Sequence, residues 1–134
     1  MERKHQVFVS STYKDLVEER QHVIHALLEL DCIPAGMELF PASDEDAWTL
    51  IKEVIDSCDY YLLIIGGKYG SHNSEGISYT EMEFDYAIQI NKPIICFLHQ
   101  DIDQLSGTKI EKTEELQLKL NAFRKKAELK HCKY

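Results

Sequence analysis

The sequence contains no apolar run approaching the roughly 18–20 residues that a helix needs to cross a bilayer. It also lacks a signal-peptide core: Met1-Glu2-Arg3-Lys4-His5 leads directly into a short apolar segment. A membrane partner is not expected. Positive charge is scarce, with 15 Lys and Arg against 23 Asp and Glu, a formal net charge of -8. Domains that grip phosphate backbones usually carry the opposite sign, so nucleic acid is not expected as the main partner. There is no GxxxxGK[ST] and no GxGxxG, hence neither a Walker A loop nor a dinucleotide fingerprint. There is no internal repeat and no low-complexity segment. The four cysteines, Cys32, Cys58, Cys96 and Cys132, are not paired at zinc or redox spacings. Cys58 and Cys96 fall in apolar patterns and read as buried free thiols, which suits a reducing cytoplasm. His22 and His25 could share a helix face, but the other ligands of a metal site are missing. No metal is expected.

What is present suits one ordinary domain. The 134 residues, 44% hydrophobic and 28% charged, are enough for a two- or three-layer core. Residues 6–10 read as a short buried strand. Ser11, Thr12 and Asp15 offer N-cap chemistry for a helix running to about Leu30. Leu16, Arg20, Val23, Ile24, Leu27 and Leu28 make its stripe, with the arginine's aliphatic stem at the edge. Residues 32–37 read as a second strand, placed at the sheet edge by Pro34. Trp48, Ile51, Val54, Ile55 and Cys58 give helical spacing, with Ser43 or Asp44 as the cap. Tyr60-Tyr61-Leu62-Leu63-Ile64-Ile65 is apolar throughout, as in a strand covered on both faces. A loop follows. Tyr79 to Ile90 reads as a helix with Met82, Tyr86, Ala87 and Ile90 on one side. Residues 94–98 read as a buried strand. Glu114 to about Lys130 reads as a last helix, striped by Leu116, Leu120, Phe123 and Ala127.

The order β-α-β-α-β-α-β-α predicts an α/β fold. It should be a three-layer, flavodoxin-like parallel sheet of about four to five strands, with helices on both faces. A further strand is due at residues 131–134. The chain is therefore expected to be a single α/β domain at the N-terminus of a longer protein.

In such a sheet, ligands bind beyond the carboxyl ends of the strands. That rule selects Ser10-Ser11-Thr12, then Glu38-Leu39-Phe40-Pro41, then Gly66-Gly67-Lys68-Tyr69-Gly70, and the helix carrying Glu81 and Glu83. Hydroxyls, backbone amides, one cation, aromatics and carboxylates suit a nucleotide-like ligand. Each has a plainer reading. The Ser-Ser-Thr run could present amides to an anion or simply cap a helix. Gly66-Gly67 could admit a ligand close to the backbone or form a tight turn. Lys68 alone is weak evidence for phosphate. Trp48 reads as core, and Asp44-Glu45-Asp46 as a solvated acidic turn. Thr80-x-x-Glu83 and Ser78-x-x-Glu81 are both capping-box patterns. Residues two apart on a helix are separated by roughly 200°, so Glu81 and Glu83 cannot both face a ligand. Glu83 shares a face with Ala87 and is the preferred candidate; Glu81 is the alternate.

Four segments carry a resemblance. They are Val7-Phe8-Val9-Ser10-Ser11-Thr12-Tyr13-x-Asp15-Leu16-x-x-Glu19-Arg20, Gly36-Met37-Glu38-x-Phe40-Pro41, Ile64-Ile65-Gly66-Gly67-Lys68-Tyr69-Gly70-Ser71, and Ile77-Ser78-Tyr79-Thr80-Glu81-x-Glu83-Phe84-x-Tyr86-Ala87. Together they resemble the bacterial domain of unknown function 4062 family. That family is often found at the N-terminus of larger proteins with signalling NTPase and repeat modules. More widely, the chain is similar to the Toll/interleukin-1 receptor-like and nucleoside deoxyribosyltransferase-like superfamily, whose folds are flavodoxin-like. Glu83-Phe84-Asp85-Tyr86-Ala87 before Lys92-Pro93 resembles the transferase Glu-x-Gly-x-Ala motif, with Asp85 in place of the glycine. The transferase's further catalytic aspartate has no identified counterpart. Tyr79-x-x-x-Glu83 resembles the aromatic-x-x-x-Glu motif of NAD-cleaving Toll-like domains, with tyrosine for tryptophan.

The resemblance implies a Toll-like effector that cleaves the N-glycosidic bond of NAD in bacterial defence or signalling. Glu83 would be catalytic. Ser10, Ser11 and Thr12 would line the ribose and phosphate side, and Tyr69 or Tyr79 would stack on a ring. NAD would be substrate, with no cofactor required. A non-catalytic nucleotide-binding or self-association module is the alternative, and a deoxyribosyltransferase the third. Expected partners are a nucleotide-like small molecule, other copies of the chain, and its downstream domains.

Overall fold

A computed structural model describes residues 4–12, 15–36, 45–70, 72–99, 111–129 and 132–133. The elements are β1 (Gln6–Ser11), α1 (Val17–Glu29), β2 (Ile33–Gly36), α2 (Glu45–Ser57), β3 (Tyr60–Ile65), α3 (Tyr79–Gln89), β4 (Ile94–Leu98), α4 (Glu114–Glu128) and β5 (Cys132–Lys133). The five strands form one parallel sheet in the order β2-β1-β3-β4-β5. The expected α/β, flavodoxin-like layering is what forms. β2 takes the edge, where Pro34 withholds no needed donor.

Alternation along the strands divides the core in two. Val7 and Val9 of β1, with Leu62 and Ile64 of β3, pack on Leu16, Val23 and Leu27 of the α1 segment. Phe8, Tyr61, Leu63 and Ile65 point the other way. They meet Ile51 and Ile55 of α2, Phe84 and Ala87 of α3, and Leu120, Phe123 and Ala127 of α4. Cys58 and Cys96 are buried free thiols in this second core. Both α1 and α3 end in a Schellman motif. Asp31 (φ 59°) and Asn91 (φ 57°) take the left-handed conformation just after the two helices. Cys32 N donates to Leu27 O at 2.8 Å, and Lys92 N to Ala87 O at 2.9 Å, which satisfies the terminal carbonyls.

Four expectations are corrected. β4 is not buried throughout: Ile95 and Phe97 are 38% and 36% exposed, on the face opposite Cys96 and Leu98. The N-cap of α1 is Leu16, and no side chain caps it, so Ser11, Thr12 and Asp15 are not caps. Arg20 is not at the edge of the α1 stripe. It is buried whole, because its guanidinium finds acceptors at the end of β1. The buried residues of α3 are Thr80, Glu83, Phe84 and Ala87. Met82, Tyr86 and Ile90 turn instead toward a groove beside Trp48 of α2. The proposed caps Ser43 and Asp44, the acidic side chains at 44–46, and the segment 38–41 lie outside the described residues.

Candidate functional site at the β1–β3 mouth

The chain runs from β1 to β2 on one side, then returns across β1 to β3 on the other. The switch point of this topology is therefore the carboxyl end of the β1–β3 pair, where open α/β sheets bind ligands. The register pairs Ser10 with Leu63 and Ser11 with Ile64. Consecutive strand residues face opposite ways, so the two serines serve opposite layers.

On the α3 side, Ser10 Oγ donates to Glu83 Oε1 at 2.6 Å. Both residues are 0% exposed. Glu83 Oε2 has no hydrogen-bond partner. Burial pushes the carboxyl up to about 8, against the pull of the Ser10 hydroxyl and the Arg20 charge. At neutral pH Glu83 is thus mostly protonated. The buried Tyr61 hydroxyl lies near the same pair. Burial, then the Glu83 charge, raises its pKa well above the usual value.

On the α1 side, Arg20 Nη1 donates to Ser11 Oγ at 2.8 Å and to Val9 O at 3.2 Å. Ser11 Oγ in turn donates to Thr12 O at 2.8 Å. An acid and a guanidinium therefore grip the end of β1 from opposite layers. Thr12 Oγ1, Asp15 Oδ2 and Glu19 Oε2 are buried beyond it without partners.

Neither glutamate is a reciprocal cap. Ser78 is the N-cap of α3, its Oγ accepting from Glu81 N at 3.0 Å. The Thr80–Glu83 box is not formed. Glu83 sits past the first turn and points at the sheet. The Glu81 carboxylate accepts from Tyr69 Oη at 2.5 Å and pairs with Lys126 of α4. Tyr69 is buried, edge-on to Phe123, which leaves its ring inside the core. Tyr79 is half-buried at the start of α3.

The β3 loop closes the mouth by packing. A Cβ on Gly66 would lie 2.8 Å from Leu16 Cδ2 and 3.1 Å from Asp15 Oδ2. The glycine is required by this close approach of the β1 loop. Gly67 O accepts from Glu111 N at 2.8 Å, and Tyr69 N donates to Glu111 Oε1 at 3.2 Å. Lys68 is half-exposed, and its charge acts on Asp15. Ser10, Ser11, Thr12, Gly66, Gly67 and Lys68 thus converge on one end of the sheet. Tyr69 and Glu81 belong to the α3–α4 contact. A groove of about 390 Å³, lined by Trp48, Lys52, Met82, Asp85 and Tyr86, lies along the other side of α3 and contains neither Glu81 nor Glu83.

The chain matches, over residues 6–134, the family described as a domain of unknown function, DUF4062. It belongs to that family. No curated protein matches this DUF4062 domain. Among its described residues, no group of three or more His, Cys, Asp or Glu could hold a metal ion, and no helix is long and apolar enough to cross a membrane. Sequence reasoning missed Arg20 and Asp15 as parts of the site. A signal existed for the first: an arginine four residues after Leu16, inside an apolar stripe, is a charge directed at the core. None existed for Asp15, whose capping role was the natural assignment.

Proposed function

We propose that this DUF4062 domain binds a nucleotide at the β1–β3 mouth and cleaves the N-glycosidic bond of NAD, with Glu83 as the catalytic residue, in a bacterial defence or signalling protein. The observation that carries the reading is the Glu83 carboxyl: fully buried at the switch point, held by Ser10 through one oxygen, its other oxygen unpartnered. A buried acid with a strongly raised pKa beside a ligand-binding edge is a marker of function.

The chemistry fits one carboxylate. The C1–N bond of the nicotinamide riboside breaks, and its electron pair goes to the pyridinium nitrogen, which leaves neutral. Positive charge then develops on the ribose ring. A carboxylate at that carbon stabilises the charge or traps it. Water adds to C1 and releases a proton. A pyridinium arriving beside Glu83 favours its charged form, so substrate binding itself supplies the carboxylate. Ser10 orients the acid, Ser11 and Thr12 line the ribose side, and Lys68 meets phosphate.

A second reading is supported by the same burial. With Glu83 0% exposed, the domain holds a nucleotide or a second copy of itself without chemistry. Incubation of the protein with NAD, alone and at concentrations that force self-association, separates the two. Release of nicotinamide that falls at least ~100-fold in Glu83→Gln but not in Glu81→Gln, with both variants folded, supports cleavage. Binding without release supports the module. Exchange of bases between deoxynucleosides would support a transferase.

A further inference from the structure

The buried acid Asp15 does not cap a helix. It precedes α1, yet the N-cap is Leu16 and no side chain caps the helix. Asp15 is 3% exposed, and its Oδ2 has no hydrogen-bond partner. Thr12 Oγ1 is in the same position. The two belong together: the Thr12 hydroxyl stands close enough to the Asp15 carboxyl to act on it as a hydrogen-bonding neighbour, though neither Thr12 Oγ1 nor Asp15 Oδ2 completes a bond of good geometry. Asp15 also packs on Gly66, and Thr12 on Gly70, so both are fixed against the loop after β3. Each of these groups stands at the switch point, on the same sheet end as Ser10 and Glu83.

We propose that Asp15 and Thr12 form a subsite that reads the vicinal hydroxyls of a ribose, and so select ribonucleotides over 2′-deoxyribonucleotides. This rests on the nucleotide reading of the site and deepens it by naming the sugar. A carboxylate oxygen accepts from a sugar hydroxyl, and a threonine hydroxyl both donates and accepts, so a cis-diol satisfies both groups at once. In dinucleotide-binding α/β sheets of the Gly-rich-fingerprint class, an acidic side chain accepts from the ribose 2′-hydroxyl in this way. A phosphate is a poor occupant at Asp15 Oδ2 itself, since a carboxylate only accepts hydrogen bonds and repels an anion; the Lys68 charge, which acts on Asp15 more strongly than that of Glu111, is left to meet phosphate. A metal would need a third carboxylate or imidazole, and none converges with these among the described residues.

The test is equilibrium binding of NAD, and of NAD analogues lacking the 2′-hydroxyl on one or the other ribose. Wild type, Asp15→Asn and Thr12→Val are compared, with thermal unfolding of each. Wild type should bind one of the deoxy analogues about tenfold more weakly than NAD, the scale of a lost hydrogen bond to a charged group. Asp15→Asn should close most of that gap without lowering the unfolding temperature, and Thr12→Val should close part of it. The subsite is overturned if wild type binds NAD and both analogues alike. It is also overturned if Asp15→Asn unfolds earlier while keeping the discrimination, the signature of a purely structural acid. If wild type binds no NAD, the nucleotide reading fails and the subsite falls with it.

Discussion

The two ends of the sheet are built from similar polar residues and treat them differently. At the amino end the bonds close. Gln6 N donates to Asp59 Oδ2 at 2.8 Å, and Asp59 N returns a bond to Gln6 O at 2.7 Å. Lys92 Nζ donates to Cys58 O at 2.6 Å, joining the end of α2 to the start of β4. At the carboxyl end, Thr12, Asp15, Glu19, Tyr61 and Glu83 each carry a buried oxygen that no hydrogen bond of good geometry satisfies, although Thr12 acts on Asp15 and Ser10 on Tyr61. Leaving such an oxygen unpaired costs about 1–3 kcal/mol. A fold selected for stability alone would fill these positions with apolar side chains of the same size. The asymmetry therefore separates polar groups that hold loops from polar groups kept for something else.

The largest expected effect sharpens that contrast through pH. Glu83 is raised from 4.5 to about 8 in the fold. Between those values the unfolded chain loses its proton while the native protein keeps it. The native state binds more protons, so stability falls as pH rises through this window and levels off above it. Each pH unit contributes about 1.4 kcal/mol, or roughly 4 kcal/mol from pH 5 to pH 8. Glu83→Gln mimics the protonated acid and should abolish this slope. Urea unfolding at pH 5, 6.5 and 8 measures it: the variant should match wild type at pH 5 and exceed it at pH 8. Parallel pH profiles would mean that Glu83 is ionised in the fold.

The next effect concerns the layer opposite Glu83. Arg20→Met keeps the aliphatic stem and removes the bonds to Ser11 and Val9. A loss of about 3 kcal/mol is expected from the stranded acceptors. The same change should move the Glu83 titration above its wild-type midpoint, because the Arg20 charge favours the carboxylate. Carbonyl infrared bands followed against pH report that shift. A Glu83 midpoint unmoved by Arg20→Met would break the picture of two layers acting on one strand end.

The layers were legible in the sequence because they depend on periodicity. The unbroken run Tyr60–Ile65 could only be a covered strand, and the α4 stripe is the one its spacing predicts. The site was legible only in outline. Glu83 was selected by its shared face with Ala87, and both are buried. Yet Ser78-x-x-Glu81 and Thr80-x-x-Glu83 are equivalent as patterns. The choice between them depends on where the chain leaves the isolated bridge of His72 with Ser78. Likewise, whether Gly66-Gly67 faces a ligand or a neighbour depends on Leu16, fifty residues away in sequence. Long-range packing of this kind leaves no local trace.

A smaller effect tests that packing. Gly66→Ala places a methyl 2.8 Å from the end of the Leu16 side chain, with Asp15 Oδ2 behind it. Overpacking at such a contact costs about 2 kcal/mol. Because Leu16 can shift, the fold should survive with a lower unfolding midpoint. Nucleotide binding should weaken as well, since the displaced side chains border the mouth. A variant as stable as wild type would show that the β1 and β3 loops stand farther apart.

The smallest effect belongs to the amino end and serves as the control. Asp59→Ala removes the acceptor of the Gln6 amide. The Asp59 side chain is 19% exposed, so water can replace part of what is lost. The net cost of one such bond is about 1 kcal/mol. Its counterpart His5, more than half exposed and 3.8 Å away, adds little. Nothing at this end lies near the switch point, so NAD affinity should stay within about twofold of wild type, well below the tenfold step that marks a lost hydrogen bond. Denaturant unfolding and calorimetric titration give both quantities from one preparation. If Asp59→Ala weakened NAD binding as strongly as changes at Asp15 or Glu83, the effect would have to travel along β1. The two ends would then be one coupled system, and the unpaired oxygens at the carboxyl end could not be read as a local ligand site.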